Sequence, residues 1–159
     1  MNRRGVGAAT VAAVAGILVG YDGTASGRRA LERAAEEARE HHARVTVLSV
    51  VDMPLNPEEP RNFGTYDDIT DEEGQSYGPP PETVEHLREA RELLAAAGVD
   101  PELAWAVGDP GPEIVQFAKR INARTIVVGE HHHGFLSRTF GGDIDGEVER
   151  EAGCNVILA

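Results

Sequence analysis

Apolar residues in this chain gather in short runs, and the runs are separated by helix-length stretches with an amphipathic repeat. Residues 17–21 (Ile-Leu-Val-Gly-Tyr) form an apolar run between glycines, the pattern of a strand buried on both faces. Asp22-Gly23-Thr24 then turns the chain, and Thr24 or Ser26 can cap a helix over about 25–42. Ala30, Leu31, Ala34, Ala35 and Ala38 give that helix its apolar stripe. The β-branched stretch 44–51 predicts a second strand, and 101–107 a third, although it carries Glu102. Residues 113–121 read as a helix with Pro112 in its first turn. Residues 124–129 read as a fourth strand, 142–152 as a short last helix and 154–158 as a closing strand. Five strands alternating with helices imply a single five-stranded parallel open α/β sheet covered on both faces. Ligands of such sheets sit beyond the carboxyl ends of the strands, which gathers 21–23, 50–52 and 129–142 around one crevice.

One segment breaks the pattern. Between 52 and 80 no periodicity is visible, and Glu58, Glu59, Asp67, Asp68, Asp71, Glu72 and Glu73 face the single Arg61. The expectation is an acidic surface insertion, partly ordered or disordered, with a lid over a ligand site as the alternative. A helix over about 81–97 follows, with Val84, Leu87, Leu93 and Leu94 on one side and Gly98 as its stop.

Composition narrows the partners. The 159 residues suit one domain, and the net charge of −12 with no basic stripe argues against nucleic acid. Lys119 is the only lysine, so a catalytic lysine elsewhere is excluded. The one cysteine, Cys154, excludes an intrachain disulfide, suits a reducing, cytoplasmic compartment and lies in an apolar run that predicts a buried core thiol. Asn2-Arg3-Arg4 before a small-residue apolar run over 6–20 superficially resembles a signal peptide, but the run is too short for a transmembrane helix. Residues 1–16 are read as a loose extension before a domain over 17–159.

The chemistry concentrates after the fourth strand. Gly129-Glu130-His131-His132-His133-Gly134 leads to Gly141-Gly142-Asp143, where a helix begins. A helix N-terminus presents free N–H groups and partial positive charge to a phosphate. Gly129 and Gly134 lack the following Lys-Ser/Thr of a P-loop, which excludes that mechanism, and no Gly-x-Gly-x-x-Gly follows a strand. Consecutive histidines point in different directions, so at most two of the triplet can face one ion, and no metal site is expected. Spacing in Asp71-Glu72-Glu73-Gly74 fails for a calcium loop. His41-His42 falls at a helix end, where capping is the expected role.

Taken together, 17–24 (Ile-Leu-Val-Gly-Tyr-Asp-Gly-Thr), Val107-Gly108-Asp109-Pro110 before Glu113-Ile114, Val127-Val128-Gly129 and Cys154-Asn155-Val156-Ile157-Leu158 resemble the universal stress protein family in the correct order. The resemblance implies a Rossmann-like sheet with strand order 3-2-1-4-5, of the adenine-nucleotide-hydrolase-like type. The family contains ATP binders and non-binders. Binders carry Gly, two residues, Gly, nine residues, then Gly followed by Ser or Thr. Here the glycines fall on Gly129, His132 and Gly142, and the hydroxyl residue on Asp143, so the second and the last depart from the pattern. Carried over in the same way, Asp22 and Gly23 stand at a ribose- or adenine-side contact, Val50 at a backbone contact to adenine, and Ile144 beside the phosphate position. Arg138 is a further phosphate candidate.

The departures have physical consequences. A Ser or Thr hydroxyl donates to phosphate, whereas an ionised Asp143 only accepts. Its charge beside a triphosphate costs on the order of 1–4 kcal/mol at surface-like dielectric. Asp143 can instead cap its own helix. His132 adds a side chain where backbone would approach phosphate. The expected function is therefore a stress-response regulatory or protective homodimer, paired through the C-terminal strand, with a degenerate ATP site. The alternative is a switch that binds ATP, with Mg2+, or another adenine nucleotide in the same crevice. A weak hydrolase ranks third, since Asp22 or His131 would have to activate water without any sign of doing so.

Overall fold

The computed structural model describes residues 16–52, the backbone of 63–65, 79–130 and 153–159. Its elements are β1 (Gly16–Gly20), α1 (Ala25–His41), β2 (Arg44–Asp52), β3 (Phe63–Thr65), α2 (Pro81–Ala96), β4 (Glu102–Gly108), α3 (Pro110–Ile121), β5 (Thr125–Val128) and β6 (Asn155–Leu158). The sheet order is β3-β4-β2-β1-β5-β6. Five strands are parallel, and leaving β3 aside their order is the expected 3-2-1-4-5. The addition is β3, which lies antiparallel on β4 with Gly64 opposite Trp105. It comes from the acidic insertion, so part of that insertion extends the sheet. Three residues containing a glycine carry no readable alternation, which is why pattern alone did not reveal it.

Alternation along the strands divides the core. Ile17, Val19, Val45, Val47, Leu103, Trp105 and Val127 face α1 and α2, where Leu31, Ala34, Leu87 and Leu94 pack on them. Leu18, Leu48, Ala104, Ala106, Ile126 and Val128 face α3, meeting Ile114, Val115 and Ala118. Burying one such aliphatic side chain contributes about 1.5–3 kcal/mol. Glu102, the oddity in its strand, sits exposed at the amino end of β4, ion-paired with Arg44 of β2.

Local signals decide the helix ends. Thr24, not Ser26, caps α1: its side chain accepts from the Gly27 amide at 3.0 Å. His42 closes α1 in the left-handed conformation, its amide donating to Ala38 O, so the His41-His42 pair does mark the helix end. Helix α3 starts three residues earlier than its pattern predicts, at Pro110 with Asp109 before it. Pro110 and Pro112 both fit in a first turn, where amide donors have no helical partner. Cys154 is only half-buried, packed at the margin of the α3-side core, because it precedes β6 and does not lie within it. The expected last helix, 142–152, lies outside the described residues. Among the described residues no helix is long and apolar enough to cross a membrane.

Candidate functional site

At the carboxyl ends of β1 and β2, Gly20, Tyr21, Asp22, Leu48, Val50 and Asp52 meet Pro110 and Ile114 of α3 around a cleft of about 150 Å³. The strands position it directly, since the Tyr21 amide donates to Leu48 O at 3.0 Å and so carries the ladder one residue past β1. Gly20 keeps the floor open. A Cβ there would stand 3.2 Å from Ile114 Cδ1 and 3.3 Å from Val128 Cγ1. Leu48, Val50 and Ile114 make the walls apolar, while Asp22 and Asp52 stand at the lip. Such a cleft receives a flat apolar ring and sets a polar group at its mouth.

Asp22 is held by its own turn. One carboxylate oxygen accepts from the Thr24 amide at 3.1 Å and from the Thr24 hydroxyl at 2.6 Å. Gly23 takes φ +79, a conformation that glycine alone adopts without strain. Of the residues that sequence reasoning gathered there, Asp22 and Val50 line this cleft, and Gly23 stands in the turn beside it. Sequence reasoning missed Gly20, Pro110 and Ile114; the glycine that ends β1 and the Pro-Gly-Pro run after β4 were their available signals.

Gly129 has a structural role that its motif reading did not include. A Cβ at Gly129 would lie 2.0 Å from Ser26 Oγ and 2.7 Å from the Ser26 carbonyl carbon. The residue is buried, and its backbone presses on the first turn of α1. Glycine is needed there for helix–strand packing whether or not a ligand is present. The other candidates, His132, Gly142, Asp143 and Ile144, lie outside the described residues, as do His131 and Arg138.

Beside the crevice lies a polar network. The buried Tyr21 hydroxyl donates to Glu89 of α2, and Arg28 Nε donates to the same carboxylate oxygen at 2.8 Å. Burial first, then the Glu89 carboxylate, push the Tyr21 phenol well above its ordinary value. The Tyr21 hydroxyl and then Arg28 hold Glu89 below the usual carboxylate range. The His86 ring of α2 meets the Tyr21 ring edge-on, centroids 6.1 Å apart. These partners are 61 and 68 residues apart in sequence, so no local motif could have announced them.

A larger hollow of about 1010 Å³ opens at the opposite, amino end of the sheet, among Glu37, His41, Lys119, Asn122, Arg124 and Asn155. It lies where α1 and α3 end. Among the described residues no cluster of three or more His, Cys, Asp or Glu side chains is placed to hold a metal ion.

Comparison with known proteins agrees with this architecture. The family model described as "Universal stress protein family" matches residues 16–159. The stress response protein NhaX of Bacillus subtilis (strain 168) is 26% identical over 160 residues, covering 89% of this chain and 95% of that protein. The universal stress protein YxiE of the same organism is 27% identical over 150 residues, with 89% and 96% covered. Among solved structures, a universal stress protein in complex with cAMP superposes with a TM-score of 0.63 at 27% identity, over 91% of this chain and 96% of that one. The Archaeoglobus fulgidus universal stress protein in complex with dAMP, at 23% identity, TM-score 0.59 and coverage of 91% and 96%, supports the fold alone. With the match spanning nearly the whole chain and the parallel sheet in the family's strand order, this chain belongs to the universal stress protein family.

Proposed function

We propose that this protein is a stress-response regulator whose crevice takes an adenine nucleoside monophosphate and disfavours the triphosphate. The observation that carries the reading is the apolar cleft of about 150 Å³ between β1, β2 and α3, with Asp22 at its lip. That space suits a purine ring with its ribose directed toward the mouth. A structure related at 27% identity contains cAMP, a nucleotide with one phosphate. Asp143 and His132 stand where binders of ATP carry a hydroxyl residue and a glycine, and the added negative charge opposes a phosphate chain more strongly as the chain lengthens. Mg2+ would lessen that repulsion without supplying the missing hydroxyl donor.

The same proposal includes a homodimer. Strand β6 ends the sheet, and Val156, Ile157 and Leu158 are half-buried within one copy. A second copy pairing along β6 would satisfy its outer backbone groups.

The test is calorimetric titration of purified protein with AMP, cAMP and ATP plus Mg2+, alongside its mass in solution. AMP or cAMP is expected to bind about tenfold or more tightly than ATP, as the charge argument implies. Asp143→Ser should narrow that gap. Tighter binding of ATP than of AMP would refute the charge argument. If no nucleotide binds, the second reading holds: Asp143 caps its own helix, and the scaffold serves as an interaction module. A monomeric mass at micromolar concentration would end the dimer claim.

A further inference from the structure

The Asp22-Gly23-Thr24 turn is not supported by β1 and α1 alone. His86, on the second turn of α2, stands in the space that a side chain on Gly23 would occupy: a Cβ there would lie 2.6 Å from His86 Nε2 and 2.7 Å from Cδ2. The imidazole is 22% exposed and packs edge-on against Tyr21, and Nε2, the atom nearest that Cβ, lies 4.0 Å from Glu82. One residue before the turn, Tyr21 is tied to Glu89, one helical turn further along α2, and Glu89 is tied in turn to Arg28 of α1. Asp22 thus sits between a residue anchored to α2 and a residue backed by α2. The two hydrogen bonds from Thr24 fix the Asp22 carboxylate within the turn, and a rigid neighbour fixes where the turn as a whole stands against the sheet.

We propose that His86 is a positioning residue for the nucleotide crevice, acting as a backstop for Gly23 and thereby setting where the turn holds the Asp22 carboxylate, with Tyr21–Glu89–Arg28 as its anchor. The proposal rests on the nucleotide reading above for its effect on affinity, but not for its effect on the turn. The action is steric: the ring fills volume behind Gly23, and Phe should serve where Ala does not. Nothing in the chain near Gly23 marks His86, because α2 is reached only after the whole acidic insertion.

The test compares His86→Ala, His86→Phe and wild type in the full chain. Two quantities are read: the AMP dissociation constant and hydrogen exchange at the Thr24 amide, which the Asp22 carboxylate holds at 3.1 Å. His86→Ala is expected to raise the AMP dissociation constant about tenfold. It should also speed Thr24 exchange while amides of β1 and β2 keep wild-type protection. His86→Phe should restore both. Unchanged Thr24 exchange in His86→Ala overturns the proposal, and so does a Phe variant that behaves like Ala. A loss of protection throughout the sheet in His86→Ala, repeated in His86→Phe, would make His86 a core residue and overturn it too. If wild type takes up no AMP, the nucleotide reading fails by itself, and Thr24 exchange alone decides the backstop.

Discussion

The two ends of the sheet carry hollows of very different size, and the nucleotide is proposed for the smaller one. At the amino end about 1010 Å³ opens among Glu37, His41, Lys119, Asn122 and Arg124. At the carboxyl end the described residues enclose about 150 Å³. The difference that matters is direction. Helices α1 and α3 both run from the carboxyl end to the amino end, so the positive ends of their dipoles lie at the end of the sheet that holds the smaller cleft, although Pro110 and Pro112 of α3 carry no amide donor. The larger hollow receives the helix C-termini, already closed by left-handed caps at His42 and Asn122 whose amides reach back to Ala38 and to Ala118 and Lys119. The Ala38, Ala118 and Lys119 carbonyls are thereby taken, and basic residues at the helix ends, Arg39, His41, Lys119 and Arg120, complement the negative ends. Volume alone would choose the other end.

Four substitutions and a change of pH test this contrast, from the largest expected effect to the smallest. Gly129→Ala forces a Cβ against backbone and side chain of Ser26, so it should destabilise the fold by about 3 kcal/mol, the upper part of the overpacking range, in denaturant unfolding. An unchanged midpoint would mean that the carboxyl end is far looser than its geometry. Next, Val50→Phe should fill the small cleft and weaken AMP binding by about tenfold or more. Ala43→Phe, at the rim of the large hollow, should leave AMP binding as it is; equal losses would erase the distinction between the ends. Thr24→Ala removes the one side-chain cap at the start of α1 and should lower stability by about 1 kcal/mol. The smallest effect is pH dependence through the Tyr21–Glu89 pair.

That dependence has a defined sign on each side. Glu89 is held below its ordinary value by the Tyr21 hydroxyl and Arg28, so its contribution is present above about pH 4.3 and lost as pH falls through its lowered folded value. Tyr21 is pushed upward mainly by burial, so its contribution is present below about pH 10 and lost as pH rises further. Arg28 is half-exposed, so solvent screens its ion pair with Glu89 and the pair adds little to stability. Glu89→Gln should flatten the acid limb of a stability profile and leave the neutral plateau nearly level. An acid limb identical to wild type would place the titrating group elsewhere.

Much of the fold was legible because its parallel strands are continuous apolar runs with glycine or proline at their ends. Residues 17–21 and 124–129 could hardly be anything else once a core had to be filled. The order of strands was not in the pattern; it came with the family resemblance. Strand β3 escaped because three residues give no period, and the early start of α3 escaped because two prolines obscure a helix that they in fact open. Around the cleft, Asp22 and Val50 were legible from the turn that follows β1 and from position along β2. Gly129 was legible as important but for a different reason, its approach to Ser26. The support from His86, Glu89 and Arg28 had no local signature, since contact across the long insertion depends on how α2 docks.

One margin of the sheet has consequences beyond a single copy. Among the described residues, the antiparallel β3 lies on the flank of β4 with three residues, whereas no strand pairs with the outer side of β6. A ribbon that accepts a neighbour at one side only cannot grow into a chain of copies. Joined back to back along β6, two molecules would exhaust the available seam, and assembly would stop at a pair whose two crevices remain open to solution.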